Sequence, residues 1–352
     1  MTKAASSNSD STRSDPSRSD STRFDCAPDV ALVADIGGTN ARFALTDLDA
    51  AAPTLREVQA LPASEFASLQ HAVEHYLARV GEQPTRGAFA VASPADRDEI
   101  RLTNRAWSFS RSELERVLGF TELRVINDFG AVAWAVPALT PADRATLHGP
   151  TAGPLRGPVS ILGPGTGLGV ALVVGSEERG WHPVETEGGH VTFAPIGEEE
   201  QAISRWLTSQ FGRCSNERVL CGAGLAHVDA VLRGVTHDLE AKVVLREPKD
   251  IVAAALEGHD VSARRALARF CAVLGSVAGD AALIHGARTV VIAGGMVPRF
   301  LPFLRSSAFR ERFLAKGRFV AYLEGVAIHV ITHPQPGLLG AAMALRGRRE
   351  AA

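Results

Sequence analysis

The fold is decided by the stretch Val30-Ala-Leu-Val-Ala-Asp35-Ile-Gly-Gly-Thr39-Asn-Ala-Arg-Phe-Ala-Leu45. Five of the six residues from Val30 to Asp35 are apolar, which predicts a buried strand that ends in one acid. After the two glycines, apolar residues alternate with Arg42 and Ala44, the pattern of a half-covered second strand. We therefore expect a β-hairpin closed by a glycine turn.

The turn of this hairpin has the composition of a phosphate-binding loop. Gly37 and Gly38 leave backbone N–H groups exposed with no side chain in the way, and such a nest binds anions. Asp35 and Thr39 flank the turn, where they could position a magnesium ion and phosphate oxygens. An ordinary hairpin whose Asp and Thr satisfy the turn has the same residues, so this stretch alone leaves both interpretations open.

A second stretch repeats the pattern: Val159-Ser-Ile-Leu-Gly163-Pro-Gly165-Thr166-Gly167-Leu-Gly169-Val-Ala-Leu-Val-Val174. Two phosphate-type hairpins in one chain predict two similar domains that face each other across a nucleotide. Neither hairpin is a P-loop, because neither contains Gly-Lys-Ser/Thr. The alternating glycines of the second also differ from the dinucleotide fingerprint, G-x-G-x-x-G at the start of a helix.

The composition limits the class of protein. A chain of 352 residues with 45% hydrophobic and 22% charged residues is typical of a soluble globular protein with one large or two ordinary domains. A net charge of -2 gives no reason to expect nucleic acid or an anionic membrane as a partner. We find no apolar run near the ~20 residues of a membrane helix. The four cysteines lack metal-ligand or redox spacing, so we expect free thiols and a cytoplasmic location.

The order of predicted elements indicates an α/β fold. Residues 1–28 are low in complexity and rich in Ser, Asp and Arg, so we expect a disordered tail that is neither a signal nor a transit peptide. Beyond it, strands alternate with helices, which places a site at the strand ends. We predict strands at 87–92, 122–126 and 289–293 and helices at 64–80, 110–119, 130–136, 198–211, 261–286 and 338–345.

Polar residues that could carry chemistry follow these strands. Asp128 could accept the proton of an attacking hydroxyl while the Asn127 amide holds the same substrate, but both residue types also cap helices. Glu187-Gly-Gly-His190 could bind a polyol or form an exposed polar turn. Glu217 could accept another hydroxyl or lie on a helix surface. Gly294 and its neighbour follow a strand and offer a third place for a phosphate or ribose.

Two other uses of the Glu187 region are weaker. A metal site lacks further His or Cys nearby in the sequence. A glycosidase pair of Glu185 and Glu187 would share one face of a strand, whereas the two acids must oppose each other across the substrate.

Five motifs in order resemble the bacterial ATP-dependent glucokinase family. They are Ala34-Asp-Ile-Gly-Gly-Thr-Asn-Ala-Arg42, Ile126-Asn-Asp-Phe129, Gly163-Pro-Gly-Thr-Gly-Leu-Gly169, Glu187-Gly-Gly-His-Val191 and Ile292-Ala-Gly-Gly-Met-Val-Pro-Arg-Phe300. Three shorter stretches also match: Thr103-Asn104-x-x-Trp107, Glu198-Glu-Glu200 and Pro336-Gly-Leu-Leu-Gly340. Each motif alone is weak, but the ordered set is specific and runs from about residue 30 to the end of the chain.

The resemblance implies the actin-like and hexokinase-like (ribonuclease H-like) fold, in which two α/β domains flank a cleft. On this basis we expect residues 29–138 plus 334–352 to form a small domain and residues 139–333 to form a large one. The C-terminal helix would return to the first domain. Relatives are usually dimers, so we also expect a homodimer.

The resemblance also implies a reaction and roles for single residues. The chain would transfer the γ-phosphoryl group of ATP to the 6-hydroxyl of D-glucose, with Mg²⁺, as entry to glycolysis. Asp128 would be the base, and Asp35 would hold magnesium through water. The sugar would contact Asn104, Asn127, Asp128, Glu187, His190 and Glu217. The nucleotide would contact Gly37, Gly38, Thr39, Asn40, Gly165, Thr166 and Gly167, with Gly294 and Gly295 near the adenosine.

Two alternatives share this fold. A related hexose or amino-sugar kinase stays open, because Thr186 and Asp96-Arg97-Asp98 depart from the family pattern near the expected sugar pocket. A non-catalytic sugar-sensing regulator is disfavoured, because Asp128 is present and no helix-turn-helix precedes the first hairpin. The zinc-type cysteine cluster of the repressor-related sugar kinases is also missing.

Overall fold

A computed structural model describes residues 29–93, 95–102, 107–150, 153–234 and 243–349. The predicted tail at 1–28 and the proposed sugar ligand Asn104 lie outside these residues.

Within the described residues, two large sheets repeat one pattern. The first has five strands in the order β3-β2-β1-β4-β7: β1 (Val30–Ile36), β2 (Asn40–Asp47), β3 (Arg56–Pro62), β4 (Arg86–Val91) and β7 (Glu122–Asn127). The second has the order β11-β10-β9-β12-β13-β8: β8 (Arg144–His148), β9 (Val159–Pro164), β10 (Leu168–Ser176), β11 (Gly180–Thr186), β12 (Thr289–Ile292) and β13 (Ala327–Ile331). Strands β5 (Glu99–Arg101) and β6 (Ser108–Ser110) form a separate ribbon.

Both predicted hairpins are confirmed, and each is paired within its sheet in the same way. β1 pairs antiparallel with β2 and parallel with β4, while β9 pairs antiparallel with β10 and parallel with β12. The first hairpin sets Asp35 opposite Arg42, and the second sets Gly163 opposite Gly169. The carboxyl ends of the parallel strands therefore lie next to the two glycine turns.

The helices cover these sheets. Between the strands of the first sheet lie α1 (Leu69–Val80) and α2 (Arg111–Leu118), α3 (Asp128–Ala135) follows its last strand, and α12 (Pro336–Arg349) follows β13. Between β11 and β13 lie α4 (Gly197–Phe211), α5 (Asn216–Val219), α6 (Gly222–Leu232), α7 (Pro248–Glu257), α8 (Val261–His285), α9 (Leu301–Ser306), α10 (Phe309–Leu314) and α11 (Val320–Glu324).

The C-terminal helix lies on the first sheet. α12 packs on α3 and against β1 and β4, with Leu338, Ala341 and Leu345 buried together with Val33 of β1. Gly340 lies so close to the backbone of Ala131 in α3 that a Cβ there would collide with its carbonyl oxygen. The domain boundaries expected from the resemblance stay predictions.

The helix predicted at 64–80 begins later than expected. A single 3₁₀ turn at Ala63–Glu65 is followed by extended backbone at Phe66. Ser68 then caps α1, because its hydroxyl accepts a hydrogen bond from the backbone N–H of His71 at 3.3 Å. The helix ends at Val80 as predicted, and Gly81 caps it in the left-handed conformation.

The central helix α8 corrects the expectation about membrane helices. By length and composition alone its 25 residues are apolar enough to cross a membrane, so the statement that no such run exists was wrong. However, 72% of its most apolar window is buried within the protein, which is the situation of a core helix. Gly275 and Gly279 pack against the backbone of α10, where a Cβ would meet Phe309 and Phe313.

A buried acid joins three helices of the second half. Glu200 of α4 is 0% exposed and accepts hydrogen bonds from Arg269 of α8 at 3.0 Å and Arg312 of α10 at 2.7 Å. The backbone N–H of Ile196 donates to its other oxygen at 2.8 Å. Since a buried charge is tolerated only when it is paired, Glu200 fixes the relative positions of these helices.

We expect Glu200→Gln to lower the free energy of unfolding by about 3 kcal/mol, because it leaves the partly buried Arg312 without its counter-charge and leaves Arg269 with Glu199 alone. The matched control is Glu199→Gln. Its carboxylate is 28% exposed and pairs with Arg265 and Arg269, so we expect a loss of about 1 kcal/mol. Urea unfolding of the variants measures both values. Equal losses would contradict the central role of Glu200.

Candidate active site

The strand ends and the second glycine turn meet in one cleft between the two sheets. The cleft holds a cavity of about 430 Å³. Predicted residues in its wall are Asp35, Asn127, Asp128, Gly165, Thr166, Gly167, Glu187, Glu217, Gly294 and Gly295. The wall does not include His190 or the first turn, Gly37, Gly38, Thr39 and Asn40.

The first turn lies beside the cavity and is closed by its own hydrogen bonds. The Gly37 N–H donates to the carbonyl oxygen of Asn40 at 3.0 Å, and the Ala63 N–H donates to that of Thr39 at 3.0 Å. Thr39 itself is exposed. The turn is therefore preformed, and only the acid that precedes it reaches the cavity wall.

That acid, Asp35, lies between the hairpin and the C-terminal helix. Arg42, opposite it in the hairpin, approaches its carboxylate at 3.5 Å. Burial raises the pKa of Asp35, and the Arg42 guanidinium opposes that rise. Gly337 of α12 lies against the same carboxylate, where a Cβ would be 2.8 Å from Oδ2. The sequence reasoning missed both Arg42 and Gly337 as neighbours.

A single carboxylate such as that of Asp35 can lie next to a bound magnesium ion without further protein ligands. No group of three or more His, Cys, Asp or Glu that could hold a metal ion occurs in the described part of the chain. Magnesium commonly uses one or two carboxylates, keeps several waters and takes its other ligands from substrate phosphates. A single carboxylate next to a phosphate-type turn fits that mode of binding and excludes a dedicated protein cage.

Asn127 and Asp128 occupy the start of α3, which enters the cavity from the end of β7. The Asn127 side-chain oxygen accepts from the backbone N–H groups of Phe129 at 2.9 Å and Gly130 at 3.1 Å. The cap interpretation of Asn127 is thus confirmed. It does not compete with a substrate role, because the cap uses only the oxygen and leaves the NH₂ group.

Asp128 has the properties of a general base. Burial raises the pKa of its carboxyl to about 6, against the hydrogen bond that it accepts from the Phe129 N–H at 2.8 Å. The nearby negative charges of Asp35 and Glu185 raise the pKa further. A carboxylate of that pKa is ionised at neutral pH yet basic enough to take a proton from a hydroxyl.

Glu185 was considered from sequence only as half of a glycosidase pair. Its carboxylate lies directly on the first turn of α3, where a Cβ on Gly130 would collide with Oε1. No signal in the sequence places β11 against α3. The contact depends on how the two sheets meet.

The four alternating glycines of the second turn have different tasks. Gly163 and Gly169 are paired across the hairpin, and a Cβ on either would collide with the ring of Phe129. Gly167 makes room for the carboxylate of Glu217, whereas a Cβ on Gly165 would meet nothing within 4 Å. Of the four glycines, Gly165 has open space at its Cβ position, and all four line the cavity.

Three polar side chains converge beside this turn. His190 Nε2 lies 3.8 Å from Oε2 of Glu187, and its Nδ1 lies 3.9 Å from Oε1 of Glu217. The Glu187 side chain is 85% exposed, whereas that of Glu217 is 29% exposed. Glu217 accepts a hydrogen bond from the Leu168 N–H at 2.9 Å, so its interpretation as a helix-surface residue is wrong.

A second cavity of about 370 Å³ adjoins this cleft, and Gly294 and Gly295 line the cleft only. Gly294 has a φ of 94°, and a Cβ there would collide with the carbonyl oxygen of Pro164. The glycines lead into a 3₁₀ helix at Val297–Phe300 rather than an α-helix. The second cavity shares Gly165 and Thr166 with the cleft and is lined also by residues that the sequence reasoning missed, Gly222, Glu247, Pro248, Lys249, Val252, Met296 and Arg299.

Comparisons with known proteins were made for the whole chain. The family model described as Glucokinase matches residues 32–348. A protein of Xanthomonas campestris pv. campestris (strain B100) named Glucokinase is 45% identical over 317 residues, which cover 88% of this chain and 93% of that protein. A Glucokinase of Stenotrophomonas maltophilia (strain K279a) is 44% identical with the same coverage.

Two solved structures extend the comparison. A glucokinase from an Antarctic psychrotroph superposes with a TM-score of 0.78 at 35% identity, covering 90% of this chain and 98% of that one. The Balamuthia mandrillaris glucokinase, solved in complex with glucose, has a TM-score of 0.76 at 21% identity and covers 92% and 95% of the two chains. At that lower identity the likeness concerns the fold.

We expect Gly169→Ala to lower the free energy of unfolding by about 1–3 kcal/mol, because the new Cβ must displace the Phe129 ring. Gly165→Ala is the matched control from the same turn. Its Cβ enters open space, so we expect a change within about 0.5 kcal/mol. Urea unfolding tests the pair, and equal stability of the two variants would show that the ring contact is unimportant.

Proposed function

This chain belongs to the glucokinase family, and on that premise we propose how its cleft performs the reaction. Phosphorylation of glucose by ATP is the activity of this chain. We propose that Asp128 is the catalytic base, that the sugar lies between it and Glu217, and that the phosphates lie along Gly165 to Gly167. The observation that carries the proposal is the partly buried Asp128 in one cavity with the open glycine turn.

The proposed step needs one proton acceptor and correct positioning. The 6-hydroxyl of glucose gives its proton to Asp128 while its oxygen forms a bond to the γ-phosphorus of ATP. The bond from that phosphorus to the bridging oxygen of ADP breaks, and ADP leaves. Phosphoryl transfer depends mainly on alignment and on stabilisation of phosphate charge, so no nucleophilic side chain is required.

The sugar site is proposed to use several hydrogen-bonding groups at once. Asn127, Glu187, His190 and Glu217 would hold the hydroxyls that do not react, together with Asn104 outside the described residues. Their mutual approach at 3.8 and 3.9 Å supports a shared ligand. The glucose complex of the Balamuthia mandrillaris glucokinase supports glucose as that ligand. A site of this kind rejects a sugar that lacks one hydroxyl, because its partner is left unpaired.

The nucleotide is proposed to extend from the cleft into the second cavity. The phosphates would lie near Gly165 and Thr166, which border both cavities. The adenosine would pass Gly294 and Gly295 into the 370 Å³ space, where Met296 offers apolar surface. The first turn, Gly37, Gly38, Thr39 and Asn40, is proposed to contact the phosphates from the other sheet once a ligand is bound.

Magnesium is proposed to lie near Asp35, held through water. Asp35 fits, because it is a single carboxylate that faces the phosphate space beside a preformed turn. When bound, the ion would neutralise charge on the transferring phosphate. Asp35 itself would orient the coordinated water and help to exclude bulk water from the cleft.

We also propose the organisation of the whole molecule. Residues 29–138 plus 334–352 would form a small domain and residues 139–333 a large one, which the packing of α12 on the first sheet supports. A homodimer in the cytoplasm is proposed from the family resemblance alone. The sugar-sensing alternative is not favoured, because the family match covers residues 32–348 with the base in place.

We expect Asp128→Asn to lower kcat by about 10²–10⁴-fold, because the amide cannot accept the proton of the 6-hydroxyl. Glucose binding measured by calorimetry should change little, since the amide keeps the size and hydrogen-bonding reach of the side chain. ADP release from Mg-ATP with glucose measures the rate. A variant that folds normally and retains near-full kcat would refute the assigned base.

The pH dependence of kcat/KM for glucose should report the ionisation of Asp128. Its pKa of about 6 means that the base is protonated below pH 6, so the rate should fall about tenfold per pH unit there and level off above pH 7. Glu185→Gln removes a neighbouring negative charge and should move this limb to lower pH.

The control for this shift is Glu178→Gln, an exposed acid in the turn before β11. Its profile should match that of the parent. If Glu185→Gln does not shift the acid limb of the kcat/KM profile from near pH 6, Glu185 does not act on the base.

A further inference from the structure

Glu217 contacts the second glycine turn, residues 163–169, which is the proposed phosphate turn. It also contacts the proposed sugar site. Its Oε2 accepts a hydrogen bond from the Leu168 N–H at 2.9 Å. Gly167 lies directly beneath it, and a Cβ there would be 2.5 Å from the same oxygen. The carboxylate can thus reach the turn only because residue 167 has no side chain.

The other oxygen of the same carboxylate faces the sugar residues. Glu217 Oε1 lies 3.9 Å from His190 Nδ1, whose second nitrogen lies 3.8 Å from Glu187. Within the described residues, Glu187 makes no hydrogen bond or ion pair with the turn, and its side chain is 85% exposed. The Glu217 carboxylate therefore contacts both proposed substrate sites, whereas Glu187 belongs to the proposed sugar site only.

The chain around Glu217 is tied to both sites by backbone hydrogen bonds. The Asn216 N–H donates to the carbonyl oxygen of Val191, the residue directly after His190, at 2.9 Å. The Gly222 N–H donates to the carbonyl oxygen of Gly165, in the turn, at 2.9 Å. A shift of residues 216–222 on sugar binding therefore moves the turn, and a shift of the turn moves these residues.

We propose that Glu217 is a positioning residue that couples glucose binding to the conformation of the phosphate turn. The inference rests on the proposed function, since it assumes that glucose contacts Glu217 and that ATP phosphates contact the turn. Coupling between two binding sites is reciprocal, so a change on either side must alter affinity on the other. This gives two crossed tests, each with one substrate absent.

The first test changes the phosphate turn and measures glucose binding without nucleotide. Gly167→Ala should push the carboxylate off the Leu168 amide and weaken glucose binding about fivefold or more by calorimetry. Gly165→Ala lies in the same turn but its Cβ meets nothing within 4 Å, so its glucose affinity should stay within about twofold of the parent.

The second test changes the sugar side and measures binding of a non-hydrolysable ATP analogue with Mg²⁺ and without sugar. Glu217→Ala should weaken that binding about fivefold or more, because the Leu168 amide loses its partner. Glu217→Gln keeps an acceptor oxygen and should restore most of it. Glu187→Ala, the matched sugar-side control, should leave it unchanged. Melting temperatures of all variants separate this effect from unfolding.

The outcomes separate this inference from the proposed function. Suppose that the parent binds both glucose and the analogue. If Gly167→Ala then binds glucose as tightly as the parent, and Glu217→Ala binds the analogue as tightly, the coupling is wrong while the proposed function stands. If the parent binds no glucose, the proposed function is wrong and the inference falls with it. The coupling is supported if Gly167→Ala weakens glucose binding and Glu217→Ala weakens analogue binding. The controls, Gly165→Ala and Glu187→Ala, must keep the parent's affinity in the same two measurements.

Discussion

The ring of Phe129 on the paired glycines Gly163 and Gly169 is the contact on which the arrangement of the cleft depends. This contact fixes the start of α3, which follows the last strand of the first sheet, against the β9–β10 hairpin of the second sheet. Asp128 is the residue immediately before that ring, so its distance from the phosphate turn is set by van der Waals packing. Close packing of this kind holds a side chain more rigidly than a loop could.

The electrostatics of the cleft work against stability. Raising the pKa of Asp128 from 3.8 to about 6 means that ionisation of this group costs the folded protein roughly 3 kcal/mol. The cost is fully present above pH 6, where the carboxyl is ionised, and disappears as pH falls below 4. The buried network around Glu200 shows the opposite arrangement, in which each charge is paired. For Asp128, burial and the negative charges of Asp35 and Glu185 raise the pKa, and no cation in the described part of the chain offsets that rise.

Features encoded by short spacing were predictable from the sequence, and features that depend on long-range contacts were not. Both hairpins and the end of α1 at Gly81 follow from local glycine patterns. The contact of Glu185 with Gly130 joins residues far apart in the chain, and the hydrogen bond of Glu217 to Leu168 spans 49 positions. The apolar composition of α8 predicts a membrane helix as well as a core helix, and only its burial distinguishes them.

The packing of α12 on the first sheet has a consequence for biosynthesis. The strands at residues 30–91 leave the ribosome well before α12, the helix that packs against β1 and β4. A nascent chain therefore leaves the apolar surface around Val33 uncovered until α12 has been synthesised. Such surface is prone to aggregation and attracts chaperones. The second half of the chain, which is contiguous, can instead become compact while the ribosome is still translating.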